Sequence, residues 1–335
     1  MSRFEKVAYY ARAYWVMHKK YTVAPYMPEY IGIEVTNVCN FRCAFCLQSN
    51  PSHHQAVPKT PLDEDRCQLF LEKVRAAGIK TNLIHWTLDG EPFMNMRFSR
   101  ICELGVKFGF TNSHFASNGM LCTPERLLEF PINDCTFNVA IDFCADRNRF
   151  EEIRGTKNSW ETIRRNIHGI LAHERFHRVF VEVTDISSFH ASDRKILADN
   201  FAALRRLFPK SRRIRFRTRT FHNATGFLEK QSAARRNAYH LCPYPWVMFR
   251  IASNGDVVAC CRDLEHKTVL GNLLTQELPE IWNGQAMQAL RSALAAKKPN
   301  LMAACRNCDL PYDDSKFSFK NILNAAKGRM QMFGR

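Results

Sequence analysis

The 335-residue sequence has no run of about eighteen apolar residues, which argues against a membrane-spanning helix. Its opening stretch, MSRFEKVAYYARAYW, carries charges where a secretory signal needs an apolar core, so the chain is expected in the cytoplasm. Acidic residues are scarce: 32 Asp and Glu stand against 48 Lys and Arg, a net charge of +16. That excess fits a solvated basic surface, and equally nucleic acid, a membrane face or an anionic substrate; charge alone does not choose. Cysteine is not scarce. Thirteen of them, an odd number in a chain without an export signal, point to metal ligands and buried thiols rather than disulfides. With 46% hydrophobic residues the chain has room for one large domain and a smaller one.

Three of the cysteines, Cys39, Cys43 and Cys46, fall within Val38 to Leu47 (VCNFRCAFCL), a C-x3-C-x2-C loop directly after the apolar run Ile31 to Val35. Three thiolates can wrap one metal centre yet leave it one ligand short of the four that a cubane iron–sulfur cluster needs. An incompletely ligated iron is an open coordination site, and an open site suggests chemistry. Zinc is the alternative, but it usually takes paired C-x2-C knuckles. The loop resembles the signature of the radical S-adenosylmethionine (SAM) superfamily, with Phe45 as the aromatic before the last cysteine. The resemblance implies a [4Fe–4S] cluster on these cysteines, SAM bound through its amino and carboxylate groups to the fourth iron, and reductive cleavage to a 5′-deoxyadenosyl radical.

Along the chain, residues 1 to 21 read as a basic amphipathic helix with Phe4, Val7, Ala8, Ala11, Tyr14 and Trp15 on one side. From Ile31 to about Phe221 apolar β-rich runs alternate with helical patterns, the mark of consecutive βα units and a parallel sheet. Strands are predicted near 31–35, 83–88, 114–117, 136–141, 179–184 and 213–220, and helices near 63–77, 96–108, 124–129, 158–173 and 192–206. The fold class is therefore α/β, a partial (β/α)6 TIM-like barrel, which the resemblance also implies. The expected domains are an N-terminal helix and lead-in (1–30), the barrel (31–235), an auxiliary-cluster domain (236–312) and a basic C-terminal helix (313–335).

In such a barrel functional groups collect at the C-terminal strand ends. Asp89-Gly90-Glu91-Pro92 follows the second strand and is similar to the family's G-G-E-P motif, with Asp in the first glycine place. There the backbone and Glu91 are implied to meet the amino group of SAM. Ser117-Asn118-Gly119 after the third strand resembles the T-N-G that faces the ribose and methionine parts. Asp142, with Ala140 where a serine is common, and Ile153-Arg154-Gly155 resemble S-x-D and I-R-G; Asp142 is implied as a ribose or substrate contact and Arg154 as a carboxylate partner. On strand five Glu182 and Thr184 share a face, and on strand six Arg213, Arg215, Arg217 and Arg219 alternate with Ile214, Phe216 and Thr218. If Ile214 and Phe216 pack under the helices, the arginines face the barrel lumen, where Glu182 could neutralise one and a SAM or substrate anion another. The alternative is a charged edge strand. Glu182, Arg215 and Arg217 are the candidate catalytic residues. Cys67, Cys102, Cys122, Cys135 and Cys144 are expected in the packing, with Cys144 the one to check for a substrate role, and His85 is expected as a core histidine.

Past the barrel come Cys242, the hairpin signal Ser253-Asn254-Gly255-Asp256 between apolar runs, then Cys260, Cys261, a helix near 279–295, and Cys305-Arg-Asn-Cys308. Cys242, Cys260, Cys305 and Cys308 can enclose one cluster completely, with Cys261 an alternative to Cys260 and zinc an alternative to iron. The segment resembles the SPASM and twitch auxiliary-cluster region, including Gly271-Asn272 and Glu280 to Trp282, and lacks the cysteines for a second auxiliary cluster. That favours the twitch form, whose relatives include dehydrogenases of aminocyclitol alcohols. The resemblance thus implies two [4Fe–4S] clusters, SAM, and a polar, possibly anionic small-molecule substrate oxidised at a secondary alcohol. A reducing flavodoxin or ferredoxin is the expected electron source, and nucleic acid is not expected. The alternatives are modification of a ribosomally made peptide, against which no added leader-gripping domain is seen, a nucleic-acid-binding iron–sulfur protein, and a structural zinc protein.

Overall fold

The structure is a computed structural model in which residues 3–189, 193–219, 221–223, 226–228 and 239–312 are described. The expected C-terminal helix at 313–335 and the expected boundary near 235 lie outside these residues. The chain divides into two compact units, Ile33–Gln68 with Leu83–Phe221, and Met1–Gly32 with Leu69–Asn82 and His222–Arg335.

In the first unit the parallel strands follow one another in sequence order. After β1 (Tyr30–Ile33), of which only Ile33 falls in this unit, come β2 (Leu83–His85), β3 (Asn112–Ser117), β4 (Thr136–Phe143), β5 (Val179–Asp185) and the edge strand β6 (Ile214–Thr218). Pairing from β2 to β6 is parallel throughout. This is the expected partial-barrel α/β arrangement. The period of two sets the faces: along β4, Phe137, Val139, Ile141 and Phe143 are fully buried, while Asn138, Ala140 and Asp142 are only half-buried. The buried face lies on aromatic side chains such as Phe115 and Phe130, with ring centroids 6.4 and 5.7 Å from Phe137. Truncating Phe137 to Ala would cost about 3–5 kcal/mol.

The expected strands and helices are present with shifted ends. The second ladder stops at His85, although Trp86 N still donates to His114 O at 2.9 Å. An unexpected helix, Arg147–Arg154, starts at Asp146, whose side chain accepts from Arg149 N, and ends at Gly155 in the left-handed region. Eight residues are too few to display a helical period; its caps were the only signal.

The second unit carries the helix Arg3–His18 and the antiparallel strands β7 (Met248–Ile251), β8 (Asp256–Val258) and β9 (Val269–Asn272). Its N-terminal helix buries Tyr10, Ala13, Val16 and Met17, whereas Phe4 and Trp15 are exposed, so the buried stripe differs from the expected one. Aromatic bulk suggested the wrong face; the buried side is the one where Ala13 allows close packing. The Asn-Gly hairpin forms as expected, with Gly255 at φ +91°, and β9 adds a third strand that its G-N motif had concealed. The single helix expected at 279–295 is two, Leu278–Trp282 and Gln285–Ala295. Asn283 breaks it, bonding through its side chain to both Ala24 N and Ala24 O and to Arg291. Among the described residues no helix is long and apolar enough to cross a membrane.

Candidate functional site

From β1 the chain runs through buried Glu34–Asn37 into the cysteine loop. Two glycines secure that loop. A Cβ on Gly90 (φ +65°) would lie 2.3 Å from Thr36 O, and one on Gly155 (φ +61°) 2.3 Å from Arg42 O. Backbone meets backbone at both places, in conformations that side-chain-bearing residues rarely adopt. Glu91 N donates to Val38 O and Ala44 N to Ile153 O, each at 2.8 Å, and Phe41 N donates to Cys39 Sγ at 3.4 Å. Burial pushes the Cys39 and Cys46 thiols up to about 12 and raises Cys43 as well. Such thiols ionise only against a positive centre. Three thiols on one pinned loop suit a cluster, which spreads its ligands over separate iron corners.

The strand-end motifs converge on this loop. Glu91 accepts from Phe93 N (3.2 Å), Ser117 Oγ (2.9 Å) and Asn118 N (2.5 Å), and Asn118 Nδ2 donates to Asn40 Oδ1 at 2.7 Å. Burial holds the Glu91 carboxyl above its ordinary range despite those three donors. Pro92 opens the short turn Pro92–Met94, and Asp89 is buried against His53. Asp142 Oδ2 receives Arg154 Nη1 at 3.3 Å and also Arg219 Nη1. Both guanidiniums lie by the Phe45 ring, Arg219 at 4.5 Å and Arg154 at 6.0 Å from its centroid, and Arg154 also reaches Phe41 at 5.3 Å.

Phe216 packs on Phe208, which in turn meets His168 of the helix Ser159–Ala172. The face carrying Asp142, Glu182, Arg215 and Arg217 is therefore the one turned away from the helices. On it Glu182 Oε2 pairs with Arg217 Nε at 2.8 Å, while Arg215, opposite Glu182 in register, is exposed on the edge strand. The row of four arginines is broken at one end: Arg213 turns to the carbonyls of Ile170, Leu171 and Phe176, where it caps a helix C-terminus. His85 Nδ1 lies 3.2 Å from His114 Nδ1. Cys144 is buried, as are Cys67, Cys102, Cys122 and Cys135.

In the second unit Cys260 follows β8, and Arg262 N donates to Cys260 Sγ at 3.4 Å, the same spacing as at Cys39. Thr268 Oγ1 accepts from Ala304 N at 3.1 Å, which fastens the approach to Cys305 onto the hairpin. Asp309, next to Cys308, accepts from Asn223 N at 3.0 Å and has Arg262 Nη1 at 3.8 Å. Burial raises the Cys242, Cys260 and Cys305 thiols, Cys305 to about 12, and neighbouring thiols add to it: Cys308 and Cys305 at Cys242, Cys308 at Cys305, and at Cys260 first Cys261, the alternative ligand, and then Cys305, Cys308 and Cys242.

Comparison with known families decides what these arrangements belong to. The radical SAM superfamily model matches residues 33–184, and the SPASM model, an iron–sulfur cluster-binding domain, matches residues 242–309. The chain carries a radical SAM domain over residues 33–184. Its SPASM-type region adds an auxiliary iron–sulfur domain, and the two matches together carry [4Fe–4S] clusters and SAM as cofactors. Three solved structures share the fold of this radical SAM enzyme. BtrN in complex with AdoMet and 2-DOIA has a TM-score of 0.58 at 17% identity, over 84% of this chain and 93% of that one. For anSMEcpe with bound AdoMet the score is 0.56 at 14%, over 90% and 96%. Streptococcus suis SuiB bound to precursor peptide SuiA gives 0.54 at 13%, over 94% and 76%. No curated protein sequence matches significantly.

Sequence reasoning had missed His53, Gln48 and Asn40 as members of the site, and had placed Arg219 in the lumen-facing row without pairing it to Asp142. Arg219 was visible as the last of the alternating arginines, at the end of β6. Nothing in the sequence marked His53.

Proposed function

We propose that this radical SAM enzyme oxidises a secondary alcohol of a polar small molecule such as a sugar, cyclitol or nucleotide. The observation that carries the reading is the second cysteine set: Cys242, Cys260, Cys305 and Cys308 supply four thiols, enough to ligate every corner of one cluster. Cys39, Cys43 and Cys46 supply only three, and would hold the cluster that leaves one iron open. When bound, the cofactors supply a SAM-derived oxidant that takes a hydrogen atom from the carbinol carbon and an auxiliary acceptor for the second electron.

The protein's own task is the proton. Losing a hydrogen atom and an electron turns the alcohol into a ketone only if the hydroxyl proton also leaves. Glu182 is the candidate acceptor, since burial holds its carboxyl above the ordinary glutamate value against the opposing charges of Arg217 and Arg215. Arg217, half-buried at 2.8 Å from Glu182, orients that carboxylate. Asp142, Arg154 and Arg219 order the strand ends beside Phe45, with Asp89, Gly90, Glu91, Pro92, Ser117 and Asn118 forming the SAM-facing turns. A reduced flavodoxin or ferredoxin in the cytoplasm would supply the one electron for cleavage of SAM to methionine and a 5′-deoxyadenosyl radical, which becomes 5′-deoxyadenosine on taking the carbinol hydrogen atom.

BtrN, whose fold is shared, was solved with 2-DOIA, while SuiB was solved with a peptide, so peptide modification is the competing reading. Reconstituted protein incubated with SAM, dithionite and carbinol-deuterated alcohols decides between them. Deuterium in 5′-deoxyadenosine and a ketone product are expected. Label arriving only from a deuterated peptide would overturn the alcohol reading.

A further inference from the structure

Asp89 stands where the resembling motif has its first glycine, and the structure shows what accompanies the change. Its carboxylate is buried, and Oδ2 lies 2.7 Å from His53 Nε2, both side chains being 3% exposed. The same oxygen accepts from Gln48 Nε2 at 2.8 Å, and that nitrogen also donates to Asn37 O at 3.0 Å. Asp89 N donates to Glu34 Oε1 at 3.1 Å. The carboxylate thus ties the turn after β2 directly to the chain just after Cys46 and, through Gln48, to the chain just before Cys39. A glycine could make none of the side-chain links.

The arrangement is not explained by stability alone. Burying a hydrogen-bonded carboxylate and imidazole in place of a glycine is at best neutral for folding, because desolvation offsets the attraction. Gln48 Oε1 is moreover left buried with no hydrogen-bond partner among the described residues, a cost the arrangement bears. What it provides is registry: Gly90 and Glu91, the next two residues, are set against Thr36, Asn37 and Val38 through backbone contacts that tolerate no slack.

We infer that His53 and Asp89 are positioning residues for SAM, a clamp that holds the 89–92 turn in register with both ends of the cysteine loop. The inference rests on the 89–92 turn facing SAM. His53→Phe removes the imidazole partner of Asp89 and keeps a ring in the space; Asp89→Gly with His53→Phe removes both polar partners and restores the motif's glycine.

The test uses reconstituted full-length protein and reads the change that SAM causes in the electron paramagnetic resonance signal of the reduced cluster, together with iron content and Tm. His53→Phe should weaken SAM binding about tenfold with iron retained, and the double variant should recover to within about threefold of wild type. Loss and rescue of affinity while iron content and Tm stay level is not expected of a merely structural pair, whose loss and rescue would follow Tm. SAM affinity in His53→Phe within about twofold of wild type, or a loss of iron and Tm with no loss of affinity, overturns the clamp alone. A wild-type signal that SAM leaves unchanged overturns the underlying reading instead.

Discussion

The two cysteine sets are built in opposite ways. Cys39, Cys43 and Cys46 sit on one short loop, pinned by Gly90 and Gly155 through backbone contact and surrounded by charges whose partners lie on other strand ends. Cys242, Cys260, Cys305 and Cys308 come from separated segments, joined through a hairpin and the Thr268–Ala304 bond. On the proposed reading, the first arrangement would fix a loop while leaving a ligand position open, and the second would spend its whole donor set on enclosure. The difference teaches that the two sets rest on different supports: rigid backbone registry for one, convergence of distant segments for the other.

The sharpest way to break that comparison is to remove one thiol from each set. Cys43→Ala should lower 5′-deoxyadenosine formation by about three orders of magnitude or more, while Cys308→Ala should leave SAM cleavage within about threefold and stop alcohol turnover. Iron content and 5′-deoxyadenosine, measured on anaerobically reconstituted protein, check both. Equal loss of SAM cleavage in the two variants would end the proposed division of labour.

A second, smaller contrast uses glycine. Gly90→Ala or Gly155→Ala adds a Cβ 2.3 Å from a backbone oxygen that has nowhere to go, on top of a positive φ. Each should cost about 3 kcal/mol or more and release the first cluster. Gly255→Ala in the hairpin also has a positive φ, but the added atom meets the side chains of Asn272 and Leu274 at 2.8 Å, which can shift. Only the conformational cost of about 1–2 kcal/mol should remain. Urea unfolding and iron retention would separate the two classes.

These contrasts also show where sequence reasoning reaches. The cysteine loop, the parallel strands and the hairpin could be read because each leaves a local mark, whether spacing, a period of two or an Asn-Gly turn. The period even stated the condition that settles β6, since Ile214 and Phe216 share the helix-facing side with Val181 and Val183. Partnerships could not be read. Arg219 meets Asp142 from 77 positions away and His53 meets Asp89 from 36, distances at which only the fold decides who is adjacent. Arg213 leaves its row for the same reason: unpaired carbonyls of a helix end lie within its reach, which strand alternation does not encode.

The Arg219–Asp142 pair gives an effect of intermediate size. Arg219→Gln removes one of two cations from Asp142 and one from the Phe45 ring, and leaves Arg154 to hold both. About 1–3 kcal/mol of stability should be lost, with SAM cleavage reduced more than iron content. Arg262→Gln, by contrast, loosens an ion pair that is already 3.8 Å long, and should cost less than Arg219→Gln in stability. The reverse order, measured by thermal unfolding of both variants, would mean that the charged scaffolding lies in the auxiliary domain.

The smallest expected effect is one of pH, and it lies on the sheet face of the first unit. Burial raises the Glu182 carboxyl above its ordinary value, and Arg217 and then Arg215 oppose this. A carboxyl whose pKa rises on folding favours the folded state while it is protonated. Its contribution is full below the unfolded value and is lost as pH climbs through the raised folded value. Glu182→Gln keeps the uncharged shape at every pH, so its Tm relative to wild type should rise by about 1–2 °C between pH of about 4 and about 7. If Glu182 is also the proton acceptor, the same variant loses alcohol turnover at neutral pH while retaining SAM cleavage. A Tm difference that is flat or falls across that range would mean that the arginines outweigh burial, leaving an ordinary carboxylate that is ionised throughout and a weaker base for the proton.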